Sequence, residues 1–511
     1  MLAIVNTLVI NGIEAQPVKV EVDIRNGLPG FELVGLPSAA IREARERVKS
    51  AIKNSGLMFP GQKIIVNLAP ADLKKEGSHF DLAIAVGILL ASNQLETSLP
   101  ENYYLAGELS LDGTLHKIPG VLPMALELAK SDKPVHFIIP ANNSYESALV
   151  SEITSYGVPN LAELYLFLKG EISIKAVQPL DVNQFCNSQS LPDFSEVKGQ
   201  ETAKRALQIA AAGLHNVLLI GPPGGGKTML ARRVPGILPE MTREEILETS
   251  RIYSVAGQLD INNPLIINRP FRAPHKNASS ASIIGGGKIP RPGEISLAQN
   301  GVLFMDELPE FSRDVLEALR QPMEDKTVTV ARAQATYTFP ANFSLIASMN
   351  PCPCGNFGSD VVDCRCSPTQ IHNYLSRVSG PLLDRMDLHV EVPRIKFEQL
   401  QDTSAAESSA AIREKVKIAR QIQARRFEGY KIKLNSQMRP ANIRKHCRLD
   451  EKSEQLLKKA FNSFNMSARA YDRILKVART IADLEECRDI QIKHIAESIQ
   501  YRSLDRKYWN Q

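Results

Sequence analysis

The sequence predicts an α/β protein: a parallel sheet with helices on both faces, preceded by a smaller α+β region and followed by a helical one. Three observations predict it. Between residues 196 and 395, short apolar runs alternate with helical segments: NVLLIG at 216–221, GVLFMDE at 301–307 and FSLIASMN at 343–350. Runs without polar alternation belong to strands buried on both faces, as parallel strands between two helix layers are. The first run leads directly into a glycine-rich turn and a helical segment. Beyond residue 396 the strand pattern stops and charged amphipathic helices take over, SARAYDRILKVARTIADLEE at 467–486 being the clearest.

Taken in order, the opening run MLAIVNTLVINGIEAQPVKV lacks a basic leader and a long apolar stretch, and reads as strand. SAAIREARERVKSAIKNSG at 38–56 has helical spacing, whereas KIIVNLA at 63–69 and VHFIIP at 135–140 read as strands. Residues 1–175 therefore form the α+β region. A polar stretch rich in Asn, Gln, Ser and Pro at 176–195 is the predicted linker, 196–395 the sheet-bearing core, and 396–511 the helical region.

A length of 511 residues fits about three domains at roughly 150 residues each. With 43% hydrophobic residues, the chain can bury a large core without disulfides. No apolar run approaches the ~18 residues of a membrane span, so a cytoplasmic protein with no membrane partner is expected. In that compartment the seven cysteines are thiols or metal ligands rather than disulfides. A net charge of +5 permits a nucleic-acid partner without requiring one.

Gly221-Pro222-Pro223-Gly224-Gly225-Gly226-Lys227-Thr228 follows the pattern G-x-x-x-x-G-K-[ST] between a strand and a helix. Its glycines let backbone N–H groups wrap a phosphate, Lys227 would reach the β- and γ-phosphates, and the Thr228 hydroxyl would bind Mg²⁺. The bland alternative is a glycine-rich turn at a helix start. Asp306 and Glu307 end the GVLFMDE run. Asp306 suits the Mg²⁺ shell and Glu307 suits activation of the attacking water, against the alternative of a solvated strand end. Asn350, at the tip of the FSLIASMN run, can hold that water or sense the γ-phosphate. Alone it would be a turn residue.

These motifs, in this order and followed by helices, resemble an AAA+ P-loop ATPase with a helical lid. FRAPHKNASSASIIGGG (271–287), SGPLLDRMDLHVEV (379–392) and SARAYDRILKVARTIADL (467–484) are narrower, and resemble the magnesium-chelatase-like branch and, within it, the ComM/YifB family. The resemblance spans essentially the whole chain. It implies ATP and Mg²⁺ as cofactors and a homo-hexameric ring with ATP between subunits. Arg385 in LLDRMD matches the arginine finger, with Arg377 as runner-up, and Arg469 matches the sensor-2 arginine. The alternative is that each pairs with a nearby acid such as Asp384 or Asp472.

Two segments look inserted into the core. Ile283–Arg291 is a glycine-rich loop carrying Lys288, and the β-branched run from Lys326 enters a hairpin that Arg332 would tip. In related motors such hairpins line the central pore, so six copies of Lys288 and Arg332 would form a cationic ring for single-stranded or branched DNA. Solvated loops are the alternative. A second basic stretch, 413–433, reads as an exposed helix face.

Residues 1–170 resemble the Lon protease domain, through KKEGSHFDLAIAVGILL (74–90) and GELSLDGTLHKIPGVLPMAL (107–126). His79 stands where that family has its serine, and Leu122 where it has its lysine; Ser78 is one position off. With both halves of the dyad missing, proteolysis is not expected, and the region reads as a platform for ring assembly or a partner. His79, beside Asp81, reads as a structural histidine.

Cys352, Cys354, Cys364 and Cys366 form two Cys-x-Cys pairs immediately after Asn350. A closed structural Zn²⁺ site, unliganded thiols and a redox-responsive pair are all compatible with that spacing. The family resemblance implies a branch-migration helicase acting in homologous recombination and natural transformation. A chelatase-type remodelling ATPase acting on a protein partner is the second reading, and an ATP-dependent protease the third.

Overall fold

In the computed structural model the opening run is two strands rather than one: β1 (Leu2–Asn11) and β2 (Glu14–Arg25) pair antiparallel and reverse at Gly12. The Asn11-Gly12 dipeptide explains the turn, since Gly12 adopts φ +68°. The structure describes the chain except residues 37–38, 72, 96–98, 181–190, 288–289, 333–334, 359–361, 396–405, 465, 505–507 and 510–511.

Five more strands complete the first sheet: β3 (Gly30–Val34), β4 (Lys63–Ala69), β5 (Tyr103–Leu105), β8 (His136–Pro140) and β9 (Thr154–Val158). Their order is β3-β4-β2-β1-β5-β8-β9; β2 is antiparallel to β1 and β4, and the other pairs are parallel. The short strands β6 (Glu108–Leu109) and β7 (Leu115–His116) form a hairpin beside the sheet. The helix Ala39–Asn54 links β3 to its parallel neighbour β4. Helix Asp81–Ala91 is buried on every side, consistent with an apolar run that has no polar stripe.

The second sheet is the predicted parallel one. Its strands β10 (Val217–Ile220), β11 (Phe271–Arg272), β14 (Val302–Met305), β17 (Ser344–Met349) and β18 (Leu388–Glu391) run in the order β11-β14-β17-β10-β18. Successive residues face opposite sides, as a period of two requires. Leu218, Leu303, Met305 and Leu345 enter one core, whereas Val217, Leu219, Phe304 and Ile346 enter the other. Both faces are therefore covered, which is why these strands carry no polar alternation.

Two small antiparallel ladders stand apart from it. β12 (Gly285–Gly286) pairs with β13 (Arg291–Pro292), and β15 (Thr327–Arg332) with β16 (Ala335–Pro340). These are the two inserted segments read from the sequence.

The region after β18 contains no strand among the described residues. Helix Ser409–Arg426 packs on helices Glu201–Gly213 and Lys227–Ile237. The basic stretch 413–433, expected to be an exposed face, is only partly so. Arg420 donates through Nε (3.0 Å) and Nη2 (2.7 Å) to the Ala211 carbonyl, and Gln423 donates to the Ala212 carbonyl at 3.1 Å. Helix Glu201–Gly213 ends there and leaves its last carbonyls without helical partners, so side chains from the facing helix cap them. Arg426 turns inward as well, to the fully buried Asp483 at 2.7 Å.

The predicted linker is anchored at both of its described ends. Val177 and Leu180 donate to the Ser155 and Ala148 carbonyls, whereas Phe194 is fully buried and its N–H bonds Ser409 Oγ at 2.8 Å. Residues 181–190 lie outside the described residues. No helix among the described residues is long and apolar enough to cross a membrane.

Candidate active site

The glycine-rich loop sits at the carboxyl end of β10, where open α/β sheets bind their ligands. Gly221 is required by its neighbour: a Cβ there would stand 2.0 Å from the Val392 carbonyl oxygen at the exit of β18. Gly224 and Gly226 take φ of +77° and +86°, and helix Lys227–Ile237 starts immediately after. Gln200 steadies the loop from outside, donating to the Gly225 and Pro393 carbonyls at 3.2 and 2.7 Å.

Lys227 Nζ donates to the loop's own carbonyls, Gly221 at 2.6 Å and Pro222 at 3.0 Å, and to Asn350 Oδ1 at 3.1 Å. Burial lowers its pKa, while Asp306 and Glu307 oppose the shift. An arriving triphosphate would supply the counter-charge that the ammonium lacks. Thr228 Oγ1 donates to Asp306 Oδ2 at 2.9 Å. These are the two oxygens that would share a bound Mg²⁺, so the donor set is hard and suits that ion. Lys227, Thr228, Asp306 and Asn350 are thus brought together.

Glu307 follows Asp306 in a left-handed backbone conformation, φ +53°, uncommon for a residue with a Cβ. Its N–H points to Asp306 Oδ1 at 3.1 Å, and its carboxylate, about half exposed, pairs with Lys276 at 2.6 Å. Strain held at a strand end beside a phosphate loop is the kind found at working sites. Two contributors escaped the sequence reading. Ser348 bonds Asp306 Oδ1 through its hydroxyl. It lies two residues before Asn350, which directly follows β17, so strand alternation carried one residue on could have placed both on one face. Lys276 carries no such signal; only folding brings it to Glu307.

Arg385 lies at the other end of the sheet. Asn216, directly before β10, donates from its side chain to the Arg385 carbonyl at 3.1 Å. The five residues from there to Gly221 span roughly 15 Å at strand rise. Arg385 is therefore placed at the opposite end of β10 from the phosphate loop of its own chain. It is buried, and its guanidinium pairs with Glu324 at 2.6 Å. It lines a cavity of about 490 Å³ with Lys326, Asp387, Arg439, Arg473 and Lys476. Burial pulls Lys326 down to about 8, helped by Arg473 and Lys476 and opposed by Asp387. Asp387 is fully enclosed; burial alone would raise its pKa, but Arg473, His215 and the Asn216 N–H hold it well below the usual carboxylate range. Glu324 and Asp325 also line it, and the Arg385–Glu324 and Arg473–Asp387 pairs balance part of its positive charge. Arg469 is exposed on the first turn of helix Ala468–Leu484, one turn before Arg473, whose presence on the same face was legible from that i, i+4 spacing. Arg377, the runner-up, is exposed and pairs with Glu310 at 3.1 Å.

Of the two residues expected at DNA, Lys288 falls between β12 and β13 and lies outside the described residues. Arg332 closes β15 opposite Ala335, and its side chain also lies outside them. The four cysteine sulfurs, by contrast, converge within 4.8 Å of one another.

Beside the first sheet His79 is buried and bonds the Leu8 carbonyl at 2.9 Å, with its pKa lowered to about 4 by burial. Asp81 is bonded not to His79 but to Arg47 at 2.8 Å. Ser78 hydroxyl bonds Glu108. Leu122 is fully buried in a cluster shared with Ile252 and Tyr253 of helix Arg243–Ala256. Its N–H points to Ser254 Oγ at 3.4 Å and to Glu146 at 3.2 Å, and the Ser254 hydroxyl bonds the buried Glu146 carboxylate. Leu122 is thus packed against helix Arg243–Ala256, on the side of the chain that carries the phosphate loop.

Models of the magnesium chelatase subunit ChlI match residues 20–143 and 193–400, and a model of its C-terminal region matches 406–502. The chain is 47% identical to "Competence protein ComM" of Haemophilus influenzae over 511 residues, covering 99% of this chain and 98% of that one. It is 44% identical to the uncharacterized protein YifB of Escherichia coli over 507 residues, with the same coverage. Similarity to the magnesium-chelatase 67 kDa subunit of Heliobacterium mobile is 27% over 239 residues, covering 41% of this chain and 35% of that one.

Proposed function

The chain belongs to the ComM/YifB family of magnesium-chelatase-like AAA+ ATPases, and on that premise we propose that it is a ring-forming, ATP-driven DNA motor. In this reading it is a homo-hexameric branch-migration helicase acting in homologous recombination and natural transformation. The observation that carries the DNA assignment is the nearly full-length match to a protein named for competence. The ATP assignment rests on Lys227, Thr228, Asp306, Glu307 and Asn350 meeting at the carboxyl ends of β10, β14 and β17. The ring assignment rests on the family resemblance, and Arg385, placed at the opposite end of β10 from its own phosphate loop and ion-paired with Glu324, would have to leave that pair to reach a neighbour's nucleotide. Arg469 would join it there.

Three separately matched stretches support a division into a Lon-protease-like domain without a dyad (1–175), a linker (176–195), an ATPase core (196–395) and a helical lid (396–511). Lys288 and Arg332 are proposed to meet the DNA backbone, the four cysteines to hold a structural Zn²⁺, and the protein to work in the cytoplasm.

ATP turnover measured with and without single-stranded or branched DNA tests the reading. Stimulation of several-fold is expected. Arg332→Ala and Lys288→Ala should each lower the ratio of DNA-stimulated to DNA-free turnover. A ratio of one for the wild-type chain with every DNA tried would overturn it. The ChlI matches favour a second reading, a remodelling ATPase acting on a protein partner, and an absence of DNA stimulation is the outcome that would select it.

A further inference from the structure

The loop leaving β17 touches the phosphate loop twice. Asn350 faces Lys227, and two residues later Cys352 is fully buried. The chain then turns through Gly355 (φ +81°), whose backbone lies so near the phosphate loop that a Cβ would stand 2.4 Å from Pro223 Cδ. The return limb brings Cys364 and Cys366 back to Cys352 and Cys354. The 352–354, 352–364 and 354–364 sulfur separations are 3.3, 3.6 and 3.6 Å. These are well beyond the ~2.05 Å of a disulfide. They approach the ~3.8 Å edge of a sulfur tetrahedron built on ~2.3 Å metal bonds. The Phe357 N–H points at Cys352 Sγ at 3.3 Å. Cys366 directly precedes Ser367, which caps helix Pro368–Leu375. The cluster therefore ties the strand that ends at Asn350 to a fixed helix, with the phosphate loop beneath the turn.

We propose that the four cysteines form a metal-closed brace for the phosphate loop, so that occupancy by a thiophilic divalent ion, Zn²⁺, sets the affinity for nucleotide through the Gly355–Pro223 contact. This rests on the zinc reading given above and adds to it a consequence at a different site. Free thiols make only weak contacts with one another, so without the ion the two limbs separate and Gly355 no longer holds Pro223. A closed S₄ site has no open position, which makes the effect structural rather than chemical.

The test uses the full-length protein, its zinc content by elemental analysis, and the dissociation constant of a fluorescent, slowly hydrolysed ATP analogue with Mg²⁺. One zinc per chain is expected. Stripping it with a zinc-selective chelator, or Cys364→Ser, should weaken analogue binding about tenfold. Gly355→Ala keeps every sulfur but drives a Cβ against Pro223; it should retain zinc and still bind the analogue about tenfold more weakly. That variant keeps the test decisive should Cys364→Ser fail to fold. Less than half an equivalent of zinc in the native protein defeats the zinc reading and the brace with it. Full zinc, with unchanged analogue affinity after stripping or in Gly355→Ala, defeats the brace and leaves the zinc reading standing.

Discussion

Glu307→Gln should bind ATP and Mg²⁺ nearly as the wild type does and hydrolyse ATP about 10²–10⁴-fold more slowly, the usual contribution of a positioned general base. The expectation follows from a separation of tasks at the end of β14. Asp306 is bonded to Thr228 and Ser348 and belongs to the metal side of the site. Glu307 takes a left-handed backbone, and among the described residues its carboxylate pairs with Lys276 rather than with the metal side of the site. Exchange for the isosteric amide removes the proton acceptor and leaves the loop, Lys227 and Asp306 in place. Single-turnover hydrolysis beside analogue binding checks both halves. An equal loss of binding, or hydrolysis within a few-fold of wild type, would mean that Glu307 is not the base.

Arg385→Ala should lower turnover about 10³-fold, the low end for an arginine that stabilises charge on a transferring phosphoryl group. The variant should fold, because Glu324, its partner, is half exposed and is not left as a buried, unpaired charge. Arg385→Lys should not restore the rate, since an ammonium lacks the planar fork. The decisive form is a mixture. Glu307→Gln chains supply an intact Arg385 to neighbours carrying Arg385→Ala, whose own Glu307 is intact. Combining two inactive proteins should therefore recover a measurable share of turnover. A mixture no more active than its parts would place Arg385 outside the neighbour's site.

Much of this was legible before folding, and the reason is local. The strands 63–69, 217–220, 302–305 and 344–349 announce themselves because burial on one or both faces dictates side-chain type position by position. The phosphate loop is legible because a tight backbone path admits only glycine at points such as Gly221. What could not be read is pairing between distant elements. Lys276 and Glu307 are 31 residues apart, Arg385 and Glu324 are 61 apart, and no spacing rule connects either pair. The inward turn of Arg420 was hidden for the same reason, since its acceptor is a carbonyl in the last turn of another helix. The β1–β2 turn, in contrast, was readable from Asn11-Gly12 and shows how a strand run can conceal a hairpin.

The account's central claim is that ATP hydrolysis in a ring of this chain moves branched DNA. The measurement that meets it most directly is branch migration of a synthetic four-way junction by the purified full-length protein. ATP with Mg²⁺ should resolve the junction into two duplexes, and neither a non-hydrolysable ATP analogue nor Glu307→Gln should do so. A protein that hydrolyses ATP normally and binds the junction, yet leaves it unmoved, would contradict the claim.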